Sequence, residues 1–516
     1  MEQSSSFTYR FRNTTQGTMI TLKPLPKKIA EAKTVILFGL GREAVSTYVF
    51  LKKFASLSQS QTLAEFNIIL FDDQPLEVVD PSWKTLVDQN LATFAGSQVP
   101  DLDASSTILF LSPGIPPSHP VLAQLLAKNI RTFTNTELAL QLLPENIHTI
   151  GVTGTKGKST TSALIHHVLS TGVIPVFLGG NIGKAALDVV TEIMQSPDVV
   201  ESAHIAAIVV FELSCHQLRN ITVSPHIAVI LDITQEHLDY YGSFEEYCLA
   251  KSKIIRYQLA QDLVVYNPEH QTVAKIVTDS AGKKLVFQTR PPFGQNDRLV
   301  FLDDKKIKYG GDTILENCEL MKIFGLHNRE NALPSVVIAK EYGISNLKIA
   351  DALLSFTGLP HRLQFVTESR GVRYFNDSLS TTPEATVAAL QTFRDFSVIL
   401  IAGGHDRHLD FRSLAEQIHS QTVTALITFA PTGEQITRAL YQIQPNSPLL
   451  QEAGFKVSSM SEAVSIARKM ARPGDVVLLS PGSASFGLFK DYADRGNQFS
   501  QAVMELATGS EPVSEI

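Results

Sequence analysis

Short runs of β-branched and other apolar residues alternate with amphipathic helical stretches along most of this 516-residue chain. An early example is TVILFGLG at residues 34–41, which is followed by the helical stretch EAVSTYVFLKKFA. The same alternation returns in three successive segments. Because parallel strands need a crossover that is usually helical, the pattern predicts an α/β protein built from βαβ units.

Three domains are predicted, each with a mainly parallel sheet and flanking helices. Residues 1–137 would form the first domain, residues 138–358 the second, and residues 359–516 the third. The breakers Gly358 and Pro360 in GLPHR mark the second boundary. The pattern assigns no role to residues 1–30, and it predicts an exposed insertion in SLSQSQTLAEF.

Composition narrows the classes of function. The chain is 44% hydrophobic and 18% charged, which is typical of a soluble globular protein. A net charge of -7 without a basic tract argues against nucleic-acid binding. Three cysteines without a C-x-x-C pair favour a reducing, cytoplasmic compartment. No apolar run reaches the roughly 18 residues of a membrane helix, so we expect no membrane partner. We also expect a monomer.

The stretch GVTGTKGKST, at residues 151–160, is a candidate phosphate-binding loop. It departs from the standard pattern, which requires glycine where this chain has Val152. Glycine N–H groups and the N-terminus of the following helix can still cradle phosphate. Lys158 could reach the β and γ phosphates, and Ser159 or Thr160 could bind Mg²⁺. The alternative is a glycine-rich turn with a surface lysine.

Two further stretches follow apolar strands and carry possible metal ligands. Glu212, in FELS, could hold a metal ion or orient water, or it could be a solvated residue at a strand end. His237 with Asp239, in TQEHLDYY, could form a metal site, since imidazole and carboxylate are common ligands. A structural role for His237 is the alternative.

Lys251 lies in a predicted helix. Ser243 and Glu246, in SFEEYCLAKSK, have the spacing of a capping box, so a helix should begin there. At helical spacing Lys251 falls on the apolar seam with Phe244 and Cys248. A buried lysine is costly unless it is paired or chemically altered, although its amine could also extend to solvent.

Taken together, these stretches resemble the MurD-type Mur ligases from about residue 32 onward. The motifs that carry the resemblance, in chain order, are GVTGTKGKST, GGNIG, FELS, TQEHLDYY, AKSKI, GLHNREN, GLPHR, NDS and SPGSASF. The resemblance implies three α/β domains, of which the first and third are Rossmann-like and the central one is a P-loop ATPase domain. It also implies an ATP-dependent, Mg²⁺-dependent ligation of D-glutamate to UDP-N-acetylmuramoyl-L-alanine. The reaction would pass through an acyl phosphate and serve peptidoglycan precursor synthesis.

The resemblance also implies roles for individual residues. Those implied to bind ATP are Gly154, Thr155, Lys156, Gly157, Lys158, Ser159, Thr160, Asn331, Arg362 and Asp377. Those implied to hold Mg²⁺ are Ser159, Glu212, His237 and Lys251, with Lys251 carbamylated. Those implied to act in catalysis are Lys158, Lys251, His237 and Glu212. The UDP substrate would contact Gly39, Gly41, Arg42, Asp72, Ser112 and Asn181. Glutamate would contact Thr381, Arg407, Ser485 and Tyr492.

Several alternatives stay open. Leu379 and Arg407 stand where many MurD proteins have lysine, so L-glutamate is an alternative acceptor. GLGREA with Asp72 alone would suggest an NAD-dependent oxidoreductase, although that leaves the phosphate loop unexplained. A binding protein that retains an ATPase shell, or a Mur-type ligase for another amino acid, is also possible.

Overall fold

The computed structural model of the protein describes residues 9–12, 19–58, 66–76, 79–96, 98–199, 204–292, 298–421 and 423–508. Most of the predicted insertion, residues 59–65, lies outside the described residues, as does much of the N-terminal extension. The chain divides into two compact units. The first comprises the described parts of residues 1–318 with 330–353, and the second those of residues 319–329 with 354–516.

The N-terminal extension contributes two strands, β1 (Tyr9–Arg12) and β2 (Met19–Leu22), which pair in antiparallel fashion. A short helix, Lys27–Ala30, follows and buries Ile29. In the segment between β2 and this helix, the Lys23 N–H donates to the Leu142 carbonyl oxygen at 2.8 Å. The extension is therefore attached to the helix that precedes the second sheet.

The first parallel sheet matches the first predicted segment. Its described strands are β3 (Thr34–Phe38), β4 (Asn67–Phe71), β5 (Thr93–Phe94), β6 (Thr107–Leu111) and β7 (Arg131–Phe133), in the order β5-β4-β3-β6-β7. Its helices are Arg42–Ser58, Pro81–Asp88, Pro120–Ala127 and Asn135–Leu142. The buried β3 and β6 are apolar on both faces, because helices cover both sides of a parallel sheet.

The second sheet also lies in the first unit. Its described strands are β8 (Ile147–Thr153), β9 (Val176–Gly180), β10 (Ala207–Glu212), β11 (Ile227–Ile230), β12 (Leu263–Tyr266), β13 (Lys283–Gln288), β14 (Val300–Asp303), β15 (Lys306–Tyr309) and β16 (Asp312–Leu315). Their order is β16-β15-β14-β13-β12-β11-β8-β10-β9, with β8 between β10 and β11. The pairings are parallel as far as β14 and antiparallel beyond it.

Helices flank this second sheet. They are Lys158–Leu169, Ala186–Gln195, Cys215–Leu218, Leu238–Tyr241, Phe244–Arg256, Gln271–Val277, Leu326–Glu341 and Asn346–Ser355. The first of them begins directly after the candidate phosphate loop, as the sequence predicts.

The sheet of the second unit is again mainly parallel. Its described strands are β17 (Gln364–Ser369), β18 (Val372–Asn376), β19 (Val398–Gly403), β20 (Val423–Phe429), β21 (Gly454–Val457) and β22 (Val476–Leu479), in the order β17-β18-β22-β19-β20-β21. Only β17, among these described strands, pairs antiparallel. Its helices are Pro383–Thr392, Arg412–Ser420, Thr432–Ile443, Met460–Met470 and Tyr492–Thr508.

The predicted fold class is confirmed: the sheets are mostly parallel and have flanking helices. The predicted domain boundaries, after residues 137 and 358, stay predictions. Within the described part of the chain, every helix is too short or too polar to cross a membrane.

Candidate active site

The candidate phosphate loop joins β8 to the helix Lys158–Leu169. Val152 is still a strand residue, because β8 continues to Thr153 and Val152 is paired with its neighbours on both sides. This explains the missing glycine, because the turn begins two residues after Val152, at Gly154. Gly154 and Gly157 have φ of 153° and 81°. A Cβ at Gly154 would lie 2.6 Å from Leu231 Cβ, so both glycines are required by conformation or space.

Hydrogen bonds fix the centre of the loop. The Thr155 N–H donates to Asp232 O at 2.8 Å, and the Thr155 hydroxyl lies 3.1 Å from the Tyr247 hydroxyl. Lys158 Nζ donates to Thr155 O at 2.7 Å, so the amine lies over the loop that it would serve. Lys156 is exposed, whereas Ser159 and Thr160 are half-buried in the first helical turn.

Glu212 is the last residue of β10 and lies next to the phosphate-loop strand. Its side chain is buried, with 2% exposure. Oε1 accepts a hydrogen bond of 2.7 Å from Asn181 Nδ2, and the Asn181 N–H donates to Glu212 O. Oε2 is buried without a hydrogen-bond partner. A buried carboxylate oxygen without a partner is costly, and a bound cation would satisfy it.

Lys251 is buried in the helix Phe244–Arg256, with 1% exposure. Its Nζ donates to Gly154 O at 2.8 Å and lies 4.7 Å from the centre of the Tyr247 ring. Burial, the largest effect, lowers the pKa of Lys251 to about 8. The predicted apolar seam is confirmed for Lys251, although Phe244 and Cys248 are only half-buried. The helix begins as predicted, with the Glu246 N–H donating to the Ser243 hydroxyl.

His237 is exposed and has a left-handed backbone, with φ of 56°. Its ring lies 6.2 Å from the Tyr247 ring, which in turn contacts Lys251. The sequence paired His237 with Asp239 as possible metal ligands. The structure instead groups His237 with Cys215 and His216, whose ligand atoms all lie within 4.8 Å of one another.

Asn331 is the other predicted ATP residue of the first unit. It is buried in the helix Leu326–Glu341, and its backbone oxygen accepts a hydrogen bond of 3.1 Å from the Thr161 hydroxyl. Its side-chain oxygen packs so closely on Gly157 that an added Cβ would overlap it. The structure therefore brings Asn331 to the phosphate loop.

The predicted UDP residues meet at the carboxyl ends of β3, β4 and β6. Asp72 accepts a hydrogen bond of 2.7 Å from the Leu40 N–H, within the GLGREA turn. A Cβ at Gly39 would lie 2.6 Å from Ser112 Cβ, whereas Gly41 faces open space. Arg42 donates from Nη2 to Gly180 O at 3.0 Å and from Nη1 to Gly183 O at 2.5 Å. Arg42 is thereby joined to the GGNIG loop that carries Asn181.

In the second unit, Asp377 follows β18 and is 3% exposed. It accepts hydrogen bonds from the Leu363 N–H at 3.1 Å and the Ser480 hydroxyl at 2.7 Å. Burial, the largest effect, raises the pKa of Asp377 to about 6. Arg362 is exposed and is close enough to oppose that rise electrostatically. Their assignment to ATP stays a prediction.

Three of the predicted glutamate residues lie on loops that follow β18, β19 and β22, and the fourth, Tyr492, begins the helix Tyr492–Thr508. Two backbone bonds join the last two loops: His405 N–H to Ala484 O, and Gly403 N–H to Pro481 O, both 2.8 Å. Arg407 is exposed, with its guanidinium 5.6 Å from the centre of the Phe486 ring. The predicted residues differ in exposure: Ser485 is buried, Thr381 is half-buried and Tyr492 is exposed.

Three features of these clusters were not predicted. Arg495 is fully buried and donates to Ser378 Oγ, Ser378 O and Ser483 O at 2.8–3.0 Å, so it fixes two of the three loops. Tyr247 could have been found from its spacing, four residues before Lys251 on one helix face. The approach of Cys215 and His216 to His237 had no signal in the sequence, since it depends on how two loops meet.

The residues at the phosphate loop fit Mg²⁺. The ion prefers oxygen ligands, and the loop offers the Ser159 hydroxyl together with the unpartnered Oε2 of Glu212. Glycines with left-handed or extended positive φ leave room for phosphate against the backbone. Lys251 as an ammonium is not a ligand, and only its carbamate would supply oxygens.

Comparison with known proteins defines the class. The chain belongs to the Mur ligase family: the model of the Mur ligase middle domain matches residues 152–339, and that of the Mur ligase glutamate ligase domain matches residues 361–482. The relatives at about 32% identity are of the MurD type, which confirms the resemblance found in the sequence.

Two of these relatives match along nearly their whole length. The UDP-N-acetylmuramoylalanine–D-glutamate ligase of Listeria monocytogenes is 32% identical, over 92% of this chain and 97% of that protein. The enzyme of the same name from Geobacillus kaustophilus is also 32% identical, over 93% and 99%. Among solved structures, MurF from Acinetobacter baumannii has a similar fold, with a TM-score of 0.51 at 16% identity, covering 86% of this chain and 91% of that one.

Proposed function

We propose that this chain ligates D-glutamate to UDP-N-acetylmuramoyl-L-alanine at the expense of ATP, in peptidoglycan precursor synthesis. The observation that carries the proposal is the buried, unpartnered Glu212 Oε2 beside the phosphate loop. The 32% identity to a ligase of that name supports the choice of substrates. We place the reaction in the cytoplasm, where ATP is available. A monomer suffices, since one chain supplies every proposed residue.

The chemistry requires activation of a carboxylate, because a carboxylate is a poor electrophile. Attack of the substrate carboxylate on the γ-phosphate of ATP would give an acyl phosphate and ADP. Attack of the glutamate amine on the acyl carbon would then release phosphate. Lys158 and the loop N–H groups would stabilise charge on the phosphoryl oxygens. Mg²⁺, when bound, supplies further charge neutralisation, and Glu212 and Ser159 are the residues that would hold it.

Asn181 connects substrate binding to this chemistry. Its amide holds one Glu212 oxygen, and Arg42 donates to backbone oxygens of the same loop. The turn at Gly39 and Gly41, which would bind the UDP group, is therefore linked directly to the proposed Mg²⁺ ligand. Binding of the nucleotide substrate would align its carboxylate with the phosphate loop.

The purified full chain with ATP, Mg²⁺ and UDP-N-acetylmuramoyl-L-alanine tests this function. ADP release should require both the nucleotide substrate and D-glutamate, and mass spectrometry should detect the amide. L-glutamate, offered separately, distinguishes the alternative acceptor. ADP release without either substrate would indicate a plain ATPase, and NAD-dependent hydride transfer would indicate an oxidoreductase.

We further propose that Lys251 is carbamylated in the active enzyme. Burial of its amine lowers the pKa of Lys251 to about 8, which favours the neutral form that reacts with CO₂. The carbamate would convert a buried cation into an oxygen ligand for Mg²⁺.

The test of carbamylation is ¹³C NMR of the protein in ¹³C-bicarbonate. A carbamate signal should be absent in Lys251→Ala and present in Lys253→Ala, whose lysine donates to Arg219 O from the same helix. Lys251→Ala should also lose nearly all activity. An active enzyme without the carbamate signal would contradict the proposal.

A further inference from the structure

Cys215, His216 and His237 form the one group of three potential metal-ligating side chains of this type among the described residues. Their ligand atoms lie within 4.8 Å of one another. Cys215 is buried, His216 is half-buried and His237 is exposed. The group therefore has a thiol at its base and an imidazole at its open side, through which an ion could enter.

The local structure holds two of these residues firmly. Cys215 and His216 are the first two residues of a helix whose start is fixed by a capping box between Ser214 and Gln217. The His216 ring stacks on Tyr241 at 5.5 Å and meets the edge of Tyr240 at 4.2 Å. Packing thus restrains the positions of the sulphur and the first imidazole.

His216 also has a polar contact on its inner side. The Tyr241 hydroxyl lies 3.3 Å from His216 Nδ1. An ion between the sulphur and the imidazole would take the place of that hydroxyl. Tetrahedral zinc needs ligand atoms roughly 3.3–3.6 Å apart, given Zn–S and Zn–N distances of about 2.3 and 2.0–2.1 Å. The ligand atoms, which now lie up to 4.8 Å apart, must therefore move closer together by about 1 Å. The exposed His237 ring, whose centre is 5.0 Å from that of the His216 ring, can make this movement.

We propose that Cys215, His216 and His237 bind a thiophilic divalent ion such as Zn²⁺, and that this binding inhibits the enzyme. A thiolate with two imidazoles favours Zn²⁺ over Mg²⁺, which prefers oxygen ligands. Binding would release the thiol proton to solvent. The inhibition half rests on the ligation proposed above and on the role that the family resemblance implies for His237, that of a ligand of catalytic Mg²⁺: once bound to Zn²⁺, His237 is withdrawn from that role.

Cobalt tests the site without reference to catalysis. Titration of the full chain with Co²⁺, under a phosphine reductant, should give a thiolate-to-cobalt charge-transfer band that saturates at one ion per chain. The band should vanish in Cys215→Ala, remain in Cys248→Ala, and need at least about tenfold more Co²⁺ in His216→Phe, which keeps the aromatic packing. No band in the wild type, or a band that persists in Cys215→Ala, would overturn the site.

Inhibition is tested by ADP release at fixed Mg²⁺ with buffered free Zn²⁺. The concentration for half-inhibition should rise at least about tenfold in His216→Phe and stay unchanged in Cys248→Ala. Equal inhibition of wild type and His216→Phe would show that Zn²⁺ acts elsewhere, for example on ATP, and would overturn the regulatory role. If the wild type has no ligase activity at all, the proposed function fails, while the cobalt titration still decides the metal site.

Discussion

Around the phosphate loop, two of the side chains predicted to perform chemistry, Glu212 and Lys251, are buried, whereas Arg407 and Tyr492, two of the four predicted to hold glutamate, are exposed. Glu212 and Lys251 are 2% and 1% exposed, and one Glu212 oxygen has no partner. In the second unit the buried Asp377 and Arg495 are hydrogen-bonded to neighbouring loops, and Arg407 lies outside that network. The first cluster thus contains a buried carboxylate oxygen that a cation would neutralise. In the second cluster, which we call the satisfied scaffold, Asp377 and Arg495 are hydrogen-bonded and the exposed groups extend from the loops that they hold.

This difference assigns separate tasks to the two clusters. Buried groups with fixed geometry stabilise charge that develops during the reaction, so changes there should mainly lower turnover. Exposed groups on a rigid scaffold bind a ligand without being required for the fold, so changes there should mainly raise KM. Variants in each cluster therefore test whether the two sets of residues have these separate tasks.

The largest effect is expected for Lys158→Ala. Loss of the amine beside the phosphate loop should lower turnover by at least about 10³-fold, because it removes a positive charge from the transferring phosphoryl group. Steady-state ADP release measures this, and circular dichroism checks the fold. Lys275→Ala, which removes an exposed lysine from the helix Gln271–Val277 of the same unit, is the control and should retain most activity. More than a tenth of normal turnover in Lys158→Ala would contradict the assignment.

Gly157→Ala should have the next largest effect. Its φ of 81° is left-handed and the new Cβ would overlap the Asn331 side chain, so the loop must move. A displacement of about 1 Å can cost roughly 10²-fold in turnover. Gly343→Ala is the control, since Gly343 has a similar φ of 70° with no atom within 4 Å of the added Cβ. It should lose about 1 kcal/mol of stability and no turnover. Equal turnover losses in both variants would mean that backbone strain alone is responsible.

Arg407→Ala tests the exposed cluster. A charge-assisted hydrogen bond contributes about 1.5–3 kcal/mol, so KM for glutamate should rise roughly 10–100-fold while kcat changes little. Arg412→Ala is the control, because Arg412 is also exposed but pairs with Glu416 at 3.2 Å. A fall in kcat at unchanged KM would place Arg407 with the chemical groups and remove the distinction between the two clusters.

The sequence allowed most of the parallel strands and helices to be predicted, because their apolar runs and breakers are local signals. The strands β13–β16 had no such signal, since they extend a sheet edge through long-range pairing. Lys158, Glu212 and Lys251 could be placed because each sits at a strand end or on a helix seam. Cys215, His216 and Arg495 could not be placed in this way, because each lies in a helix whose contacts with distant parts of the chain form only when the chain folds.

The smallest effect is expected at Asp377 and concerns stability. Its folded pKa of about 6 exceeds the value of about 3.9 for an unfolded aspartate. Between those values the folded state binds more protons than the unfolded state, so this group makes stability fall as pH rises from about 4 to 6. Asp377→Asn removes the dependence: its oxygen can still accept from Leu363 N–H, and its amide can donate to Ser480 Oγ. The stability of the variant relative to wild type should rise by about 1–2 kcal/mol across that window and then level off. Denaturant titrations at several pH values measure this difference.

Asp406→Asn is the comparison variant. Its stability relative to wild type should change with pH in the opposite direction, because hydrogen bonds from His408 N–H and Gln435 lower the pKa of Asp406. That group contributes stability at neutral pH that is lost as pH falls, so its variant should be the less stable one at pH 7. A relative stability of Asp377→Asn that does not change between pH 4 and 7 would mean that folding leaves the pKa of Asp377 at its unfolded value, and that the hydrogen bonds to its carboxylate fully offset its burial.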